Sequence, residues 1–398
     1  MVKPTAKFSF MEETKIYKFS ELCSKIGSGA TPKGGKESYL GGNIALIRSQ
    51  NVLDFNFSVD GLAYINNEQA QKLNNVSIEE NDVLLNITGD SVARACMAPS
   101  WILPARVNQH VAIIRGNADL VLNDYLLYFL QYKKSYLLSI SQGGATRNAL
   151  TKRMIEDIEL LLPNLSHQRK VVSILRSLDS KIELNRRIND NLEQQAQALF
   201  KSWFVDFEPF KGEKFVESQL GMIPKGWKVG TLSDLLDIRY GKDHKKLNDG
   251  NIPVYGSGGI MRLADGILYN GESVLIPRKG TLNNVLYVNW PFWTVDTMFY
   301  SIEKVPNVAK YCHLLLSKLD LASMNSGSAV PSMTTDILNK IQVIVANQDV
   351  FSSFNECISS LYLKAKINLD ENKRLSETRD LLLPKLMSGR LIIKDLHS

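Results

Sequence analysis

Between Ser166 and Phe207 the apolar positions fall into a seven-residue repeat that does not slip. The stretch reads SHQRKVVSILRSLDSKIELNRRINDNLEQQAQALFKSWFVDF, contains neither Gly nor Pro, and is dominated by good helix formers. One position of the repeat takes Leu175, Ile182, Asn189, Ala196 and Trp203, and its partner position takes Leu178, Asn185, Leu192 and Leu199. That spacing is the seam of a coiled coil, in which two apolar positions per heptad face a partner helix. At 1.5 Å per residue, about 40 such residues predict a rod of roughly 60 Å, too long for the core of one compact domain.

A partner for this seam lies at the other end of the chain. From Val350 to Met387 the same spacing recurs in Phe354, Ile358, Leu361, Ala365, Asn368, Asn372, Leu375, Leu382 and Leu386. An offset of 183 residues, the distance from Leu175 to Ile358, superimposes the two seams. Leu178 then falls on Leu361, Asn185 on Asn368, Asn189 on Asn372, Leu192 on Leu375 and Leu199 on Leu382. A polar residue in an apolar seam costs stability and fixes register and partner, so the matched Asn positions predict a specified pairing. The one mismatch places Ala196 on Arg379, whose side chain is expected to reach out of the seam toward solvent or another subunit. Upstream the offset continues without a gap: Ala149 falls on Ser332, Met154 on Ile337, Ile158 on Ile341 and Leu160 on Val343. The chain is two copies of one unit, each a mixed domain feeding a long helix, and such a period marks a duplicated domain rather than a solenoid.

Shorter patterns fill the mixed domains and give an α+β class. In the first, Tyr17 to Ile26 predicts a strand entering a short helix, the segment from Ile65 a short helix, NDVLLNITGD and QHVAIIRG strands, and LNDYLLYFLQYKKSYLLSI one amphipathic helix capped by Asn123 or Asp124. IELLLP, ending at Pro163, is a last strand before the rod. The second copy repeats the plan after a Lys-, Gly- and Pro-rich linker from Phe207 to Lys228, expected to be extended. Its WKVGTLSDLL, NIPVYGSGGIM, ESVLIPRKGTLNNV, WTVDTMFYSI and AKYCHLLLSKL segments align with first-copy counterparts, whereas the loops between them differ. Similar scaffolds carrying different loops suggest that each loop set reads something different.

Composition narrows the class. An apolar fraction of 44% is ordinary for a chain with real cores, and no run of 18 apolar residues suggests a membrane span. The N-terminus lacks the apolar core of a secretory signal, and the four Cys are scattered without a CxxC pair. Both features suit a reducing cytoplasm. The net charge of +6 leans toward a polyanion partner. A search for catalysis finds little. GATPKGGKES, from Gly29, fails as a phosphate loop because Gly35 stands where the Lys belongs. No two of the five His lie at metal-ligand spacing, no HxE with PCxxC occurs, and no Asn-Pro-Pro-aromatic tetrapeptide is present. Glu13 with Lys15, and Glu213 with Lys214, lack the upstream Asp of a nuclease site. The chain itself is expected to hold no cofactor and no metal.

Basic and amide-bearing loop residues carry more. In the first copy they are Lys33, Lys36, Arg48, Gln50, Arg94, Arg106, Gln109 and Arg147; in the second, Lys242, Lys245, Lys246, Arg262, Arg278, Lys279 and Asn283. Arg and Lys pair with guanine edges and phosphates, and Asn and Gln with adenine edges. Their clustering at matching places of both copies makes them candidate DNA contacts.

The twofold layout, the run from ALTKRMIEDIELLLPNL through the first long helix to FVDFEP, the entry GMIPKGWKVGTLSDL, and the closing NKRLSETRDLLLPKLMSGRL together resemble the specificity (S) subunits of type I restriction-modification systems. The resemblance spans the chain. It implies two target recognition domains, residues 1–165 and 209–346, separated by two long spacer helices, residues 166–208 and 347–398 with its C-terminal tail, packed as an antiparallel coiled coil. Each domain would bind one half of a split duplex DNA site, and the helices would space them. Two methylation (M) subunits would dock on the helices, with Arg186, Arg187, Trp203 and Phe204 as candidate contacts, Phe204 near the helix end being equally a candidate for the core, and restriction (R) subunits would join through the complex. S-adenosylmethionine and ATP chemistry would reside in those partners, and this chain would be non-catalytic. The competing reading is a coiled-coil scaffold that bridges protein partners.

Overall fold

The computed structural model describes residues 14–32, 39, 41–142, 148–324 and 332–391. By contacts the chain divides into two compact units, one drawn from residues 1–184 and 371–398, the other from 185–370. Each takes one β-rich domain together with half of each long helix.

In the first unit, β1 (Lys15–Lys18) runs into the one-turn helix α1 (Phe19–Leu22) and on into β2 (Cys23–Ser28). There follow β3 (Ile44–Ile47), β4 (Ala63–Ile65), α2 (Asn67–Lys72), β5 (Val83–Asn86), β6 (Ala95–Met97), β7 (Ala105–Val107) and β8 (Val111–Gly116). Helices α3 (Asn123–Tyr132), α4 (Lys134–Ser141) and α5 (Lys152–Glu156), then β9 (Glu159–Leu162), lead to α6 (Leu165–Phe204). The strands form a four-stranded sheet in the order β2-β8-β5-β6, a three-stranded sheet β4-β3-β7 and a pair β1-β9. Every residue of β5 is buried, as a continuous apolar run between two neighbouring strands requires. The segment expected to form one helix from Leu122 breaks at Lys133 into α3 and α4. Nor is it capped by Asn123: that side chain instead accepts from the Gly116 amide at 2.7 Å.

The second unit builds the same topology again. Its strands are β10 (Phe215–Ser218), β11 (Gly221–Pro224), β12 (Lys228–Thr231), β13 (Leu236–Tyr240), β14 (Ile252–Gly256), β15 (Gly259–Ala264), β16 (Ser273–Pro277), β17 (Leu286–Val288), β18 (Trp293–Thr294), β19 (Met298–Glu303) and β20 (Gln342–Val345). Its helices are α7 (Leu232–Leu235), α8 (Ala309–Lys318), α9 (Thr335–Asn339) and α10 (Gln348–Met387). The sheets run β13-β19-β16-β17, β15-β14-β18 and β12-β20, strand for strand the order of the first unit. In each three-stranded sheet the outer pair is antiparallel and the other parallel. Even a helix cap recurs at the same offset: Thr151 accepts from Met154 N at 3.2 Å, and Thr334 from Ile337 N at 3.2 Å. The linker is not simply extended. It folds into the hairpin β10-β11, turned by Gly221 at φ +92°.

Helices α6 and α10, each 40 residues long, are packed together, and within each unit the pairing runs antiparallel. In the first unit, Asn372 Nδ2 donates to Ile182 O at 3.3 Å, while Arg379 bonds Asp179 at 2.8 Å further down. Leu175 lies in one core with Leu383, Leu386 and the β-domain. In the second, Asn368 Nδ2 donates to Asn189 Oδ1 at 2.8 Å, and Phe200 and Phe204 share a core with Phe351, Phe354 and Ile358. Each fully buried Leu, Ile or Phe there contributes roughly 1.5–3 kcal/mol. The expectation for Arg379 is overturned. Its side chain is only 11% exposed, bonded to Asp179 and stacked 3.8 Å above the Phe55 ring, so it points inward. The α6 position facing it supplies a carboxylate, which makes an inward guanidinium less costly than the heptad pattern suggests.

Candidate nucleic-acid interface

In the first unit five strand ends meet at one edge. Ser28, the last residue of β2, pairs with Ala112 near the start of β8, and Asn86, the last of β5, pairs with Val111. Because β3 runs parallel to β7, Ile47 and Val107 finish side by side. The short turn Asn108–His110 closes the edge: Asn108 O accepts from Gly29 N at 3.1 Å, and Asn108 N donates to Ile47 O at 3.0 Å. Gly29 is there for space, since a Cβ would fall 1.7 Å from Val107 O. That packing accounts for the glycine in a loop that only resembles a phosphate cradle.

The turn presents hydrogen-bonding side chains. The Gln109 amide lies 3.0 Å from His110 Nε2, and Thr88 Oγ1 lies 2.6 Å from His110 Nδ1. With the amide donating to Nε2, the ring proton sits on Nδ1 and faces Thr88. Thr31 donates to the Gln109 carbonyl oxygen. Arg48 and Gln50 follow β3, where Arg48 bonds Gly61 O and Gln50 Nε2 donates to Asp60 O at 2.9 Å. The buried Asn86 amide ties this loop down through Ser49 O at 2.8 Å. Arg94 joins the same edge through its carbonyl, which accepts from Asn86 N at 2.8 Å. Thus Arg48, Gln50 and Gln109 stand on loops of one edge, and the Arg94 backbone joins them there. Arg106 does not: its guanidinium donates to Ala70 O at 3.2 Å and Asn74 Oδ1 at 3.3 Å, and burial lowers its pKa from the usual value. Lys33, Lys36 and Arg147 lie outside the described residues.

The second unit forms the equivalent edge. Gly241 N donates to Met298 O at 3.0 Å, Lys242 N to Thr294 O at 2.9 Å and Arg278 N to Thr297 O at 2.8 Å. A Cβ on Gly241 would fall 2.1 Å from Val295 O, the same crowding as at Gly29. Arg278 stacks 5.3 Å from the Tyr240 ring centroid and donates to Asp296 O at 3.2 Å. Lys242 and Lys279 are exposed at this edge, and Lys245 and Lys246 are exposed on the loop that leaves it. Arg262 pins that loop instead, donating to Leu247 O at 2.7 Å and His244 O at 3.0 Å and pairing with Asp249. Asn283 faces another way, its amide donating to Asp320 at 3.1 Å and accepting from Ala322 N at 2.9 Å.

At the same place in the topology, between β7 and β8 or β18 and β19, one unit offers Gln109 and His110 and the other Asp296 and Thr297. Sequence reasoning missed Thr31, Thr88, His110 and Asp296. A polar pair between two short strands marks a tight connection from one sheet to the other and could have flagged His110 and Asp296. Thr31 and Thr88 carry no such signal, because only the pairing of distant strands gathers them.

Burial pushes the Cys23 thiol up to about 12 and holds Cys96 and Cys312 above their usual value, so none of the three is a ready thiolate. Among the described residues no group of three His, Cys, Asp or Glu could hold a metal ion, and no helix is long and apolar enough to cross a membrane.

The helix residues fall as follows. Leu175, Ile182, Asn185, Ile358 and Asn368 are buried, and Leu178, Asn189, Leu192, Leu199, Leu361, Asn372, Leu375 and Leu382 are half-buried. Arg186 and Arg187 are exposed. Phe204, a candidate partner contact, is 2% exposed, with its ring 4.6 Å from Tyr311 and 4.8 Å from Phe354. It is a core residue of the second unit and has no surface to offer a partner. Trp203 beside it is half-buried against Phe354 and Phe210.

A scaffold built twice, with a different polar edge on each copy, suits the recognition of two unlike surfaces. The family described as "Type I restriction modification DNA specificity domain" matches residues 11–194 and 224–349, and the chain belongs to this family of type I restriction-modification specificity subunits, itself non-catalytic. The chain is 28% identical over 407 residues to the type I restriction enzyme MjaIX specificity subunit of Methanocaldococcus jannaschii, covering 94% of this chain and 92% of that one. It is 25% identical over 440 residues to the HindI specificity subunit of Haemophilus influenzae, covering 88% and 94%. Its fold is similar to the crystal structure of the type I restriction-modification S subunit from M. genitalium, with a TM-score of 0.52 at 16% identity over 97% of this chain and 98% of that one.

Proposed function

We propose that this DNA specificity subunit reads a split duplex site, one half with each β-rich domain, and that its paired helices set the gap between the halves. Residues 1–165 and 209–346 are the reading domains in this proposal, and 166–208 and 347–398 the spacer. The observation that carries it is the strand topology built twice, each copy ending in an edge of different hydrogen-bonding character. One scaffold with two chemistries is what reading two unlike half-sites requires. Lys242, Lys245, Lys246, Lys279 and Arg278 would hold phosphates or guanine edges, and Gln109, Arg48, Gln50 and Arg94 would serve in the other half. Two methylation subunits would bind the exposed helix faces, Arg186 and Arg187 among them, and restriction subunits would join that assembly. The complex would work in the cytoplasm, where the genomic duplex lies.

The test is a spacing experiment. Inserting one heptad into both helices adds about 10 Å of rod, or about 3 base pairs of duplex at 3.4 Å each. The complex with the methylation subunits is expected to select the same half-sites separated by about 3 more pairs. An unchanged gap would show that the helices are not the ruler, and no selected sequence at all would refute DNA reading.

A further inference from the structure

The basic edge of the second unit also carries an apolar projection. Strands β14 and β15 are joined by the turn Ser257–Gly258–Gly259, with Gly259 at φ +110°. Immediately after it, Ile260 is 60% exposed and Met261 58%. The turn is tied to the edge already described. Asn284 Nδ2 donates to Ser257 O at 2.8 Å, and Gly280, next to Lys279, approaches so closely that a Cβ on it would fall 2.8 Å from Ser257 Oγ. Met261 lies over Gly256, where a Cβ would fall 2.5 Å from its sulfur and 3.6 Å from Val295 Cγ2. Val295 in turn opens the Val295–Thr297 turn that accepts the Arg278 and Lys279 amides. Met261 therefore stands exposed over the turn that holds Arg278 and Lys279, Ile260 is the equally exposed residue before it, and Lys242 and Asp296 belong to the same edge.

Exposed apolar groups within a cationic rim need a ligand that is anionic outside and apolar at a point within. Duplex DNA meets this description in its major groove. Phosphates line the rim, and the thymine C5-methyl is the apolar group among the base edges. We propose that Ile260 and Met261 read thymine methyl groups in the half-site bound by the second unit, an assignment that rests on the DNA-reading function proposed above. Asp296, at the position that Gln109 holds in the first unit, is placed to accept from a cytosine or adenine amino group nearby.

The experiment uses the full chain assembled with its methylation subunits. A randomised duplex pool yields the bound site, and each thymine in it is then replaced in turn by deoxyuridine, which removes only the methyl. The expected result is one or two thymines at which uracil weakens binding about 4-fold, the weight of one buried methyl. That sensitivity should vanish in the Ile260→Ala/Met261→Ala variant and persist in Ile260→Val/Met261→Leu. Because both residues are exposed, assembly and melting temperature should not change in either variant. The proposal is overturned if no thymine responds in the wild type, or if the response survives in the alanine variant. It is equally overturned if that variant fails to assemble with the methylation subunits, since the patch would then be a protein contact. Failure to enrich any sequence would refute the DNA-reading function itself, and this assignment with it.

Discussion

The buried Asn368 and its half-buried partner Asn189, between the helices of the second unit, permit a quantitative test. Asn189 Oδ1 accepts from Asn368 Nδ2 at 2.8 Å, and Asn189 Nδ2 donates to Ala365 O at 3.2 Å. Asn368 is 0% exposed, so no water can replace a lost partner. Asn189→Leu alone removes both bonds and strands the Asn368 amide. A stranded buried donor costs about 1–3 kcal/mol, only partly offset because position 189 is half-buried. Asn368→Leu alone removes one bond worth about 1 kcal/mol but buries a full leucine side chain, roughly 2 kcal/mol in return before any overpacking. The double variant leaves no amide stranded. The cycle should therefore give a coupling of at least about 1 kcal/mol, with the double variant more stable than Asn189→Leu. Hydrogen exchange at the amides of residues 185–196 reads the opening free energy locally, which avoids assuming two-state unfolding of the whole chain. A coupling near zero, or an Asn189→Leu variant as stable as the double, would refute the view that these amides form a matched pair.

Other expectations follow from the same structure. Lys242→Ala should weaken binding evenly across sequences and reduce the slope of log affinity against log salt by about 0.9, measured by titration at several salt concentrations; a loss confined to one sequence would contradict a phosphate role. Gly29→Ala and Gly241→Ala should each destabilise their own unit by at least ~1–3 kcal/mol, because the added carbon lands on a backbone carbonyl, and melting curves would detect it. His313, packed against Tyr362 and bonded to its hydroxyl at 2.7 Å, has its pKa lowered by desolvation to about 4. Its folded form stays neutral while the unfolded chain takes a proton below the usual 6.5, so its contribution falls as pH drops from about 6.5 toward 4. The loss should reach ~1–2 kcal/mol by pH 5. Denaturant titrations of wild type and His313→Gln at pH 7.5 and 5 should show this slope in the wild type only.

The heptads and the duplication were legible in the sequence because each is local or periodic: a helix face repeats every few residues whatever lies opposite. The 183-residue offset even matched Asn189 to Asn372 as equivalent positions. It did not reveal that Asn189 bonds Asn368, because equivalence by descent is not adjacency, and antiparallel packing sets each residue against a different turn of its partner. The loops have no period, so the direction of a side chain there depends on which distant strands finish beside it. Only the tertiary structure could bring Thr31, Thr88, Gln109 and His110 to one edge. It alone could turn Arg379 inward onto Asp179 and commit Arg106, Arg262 and Asn283 to bonds within the fold. An Arg on a loop reads as a polyanion contact until its guanidinium is found shared among several acceptors of its own fold, as in Arg106 and Arg262. Phe204 shows the same limit on a helix: the heptad places it beside the seam, and only the docking of the β-domain, with Tyr311 against its ring, decides that it is core.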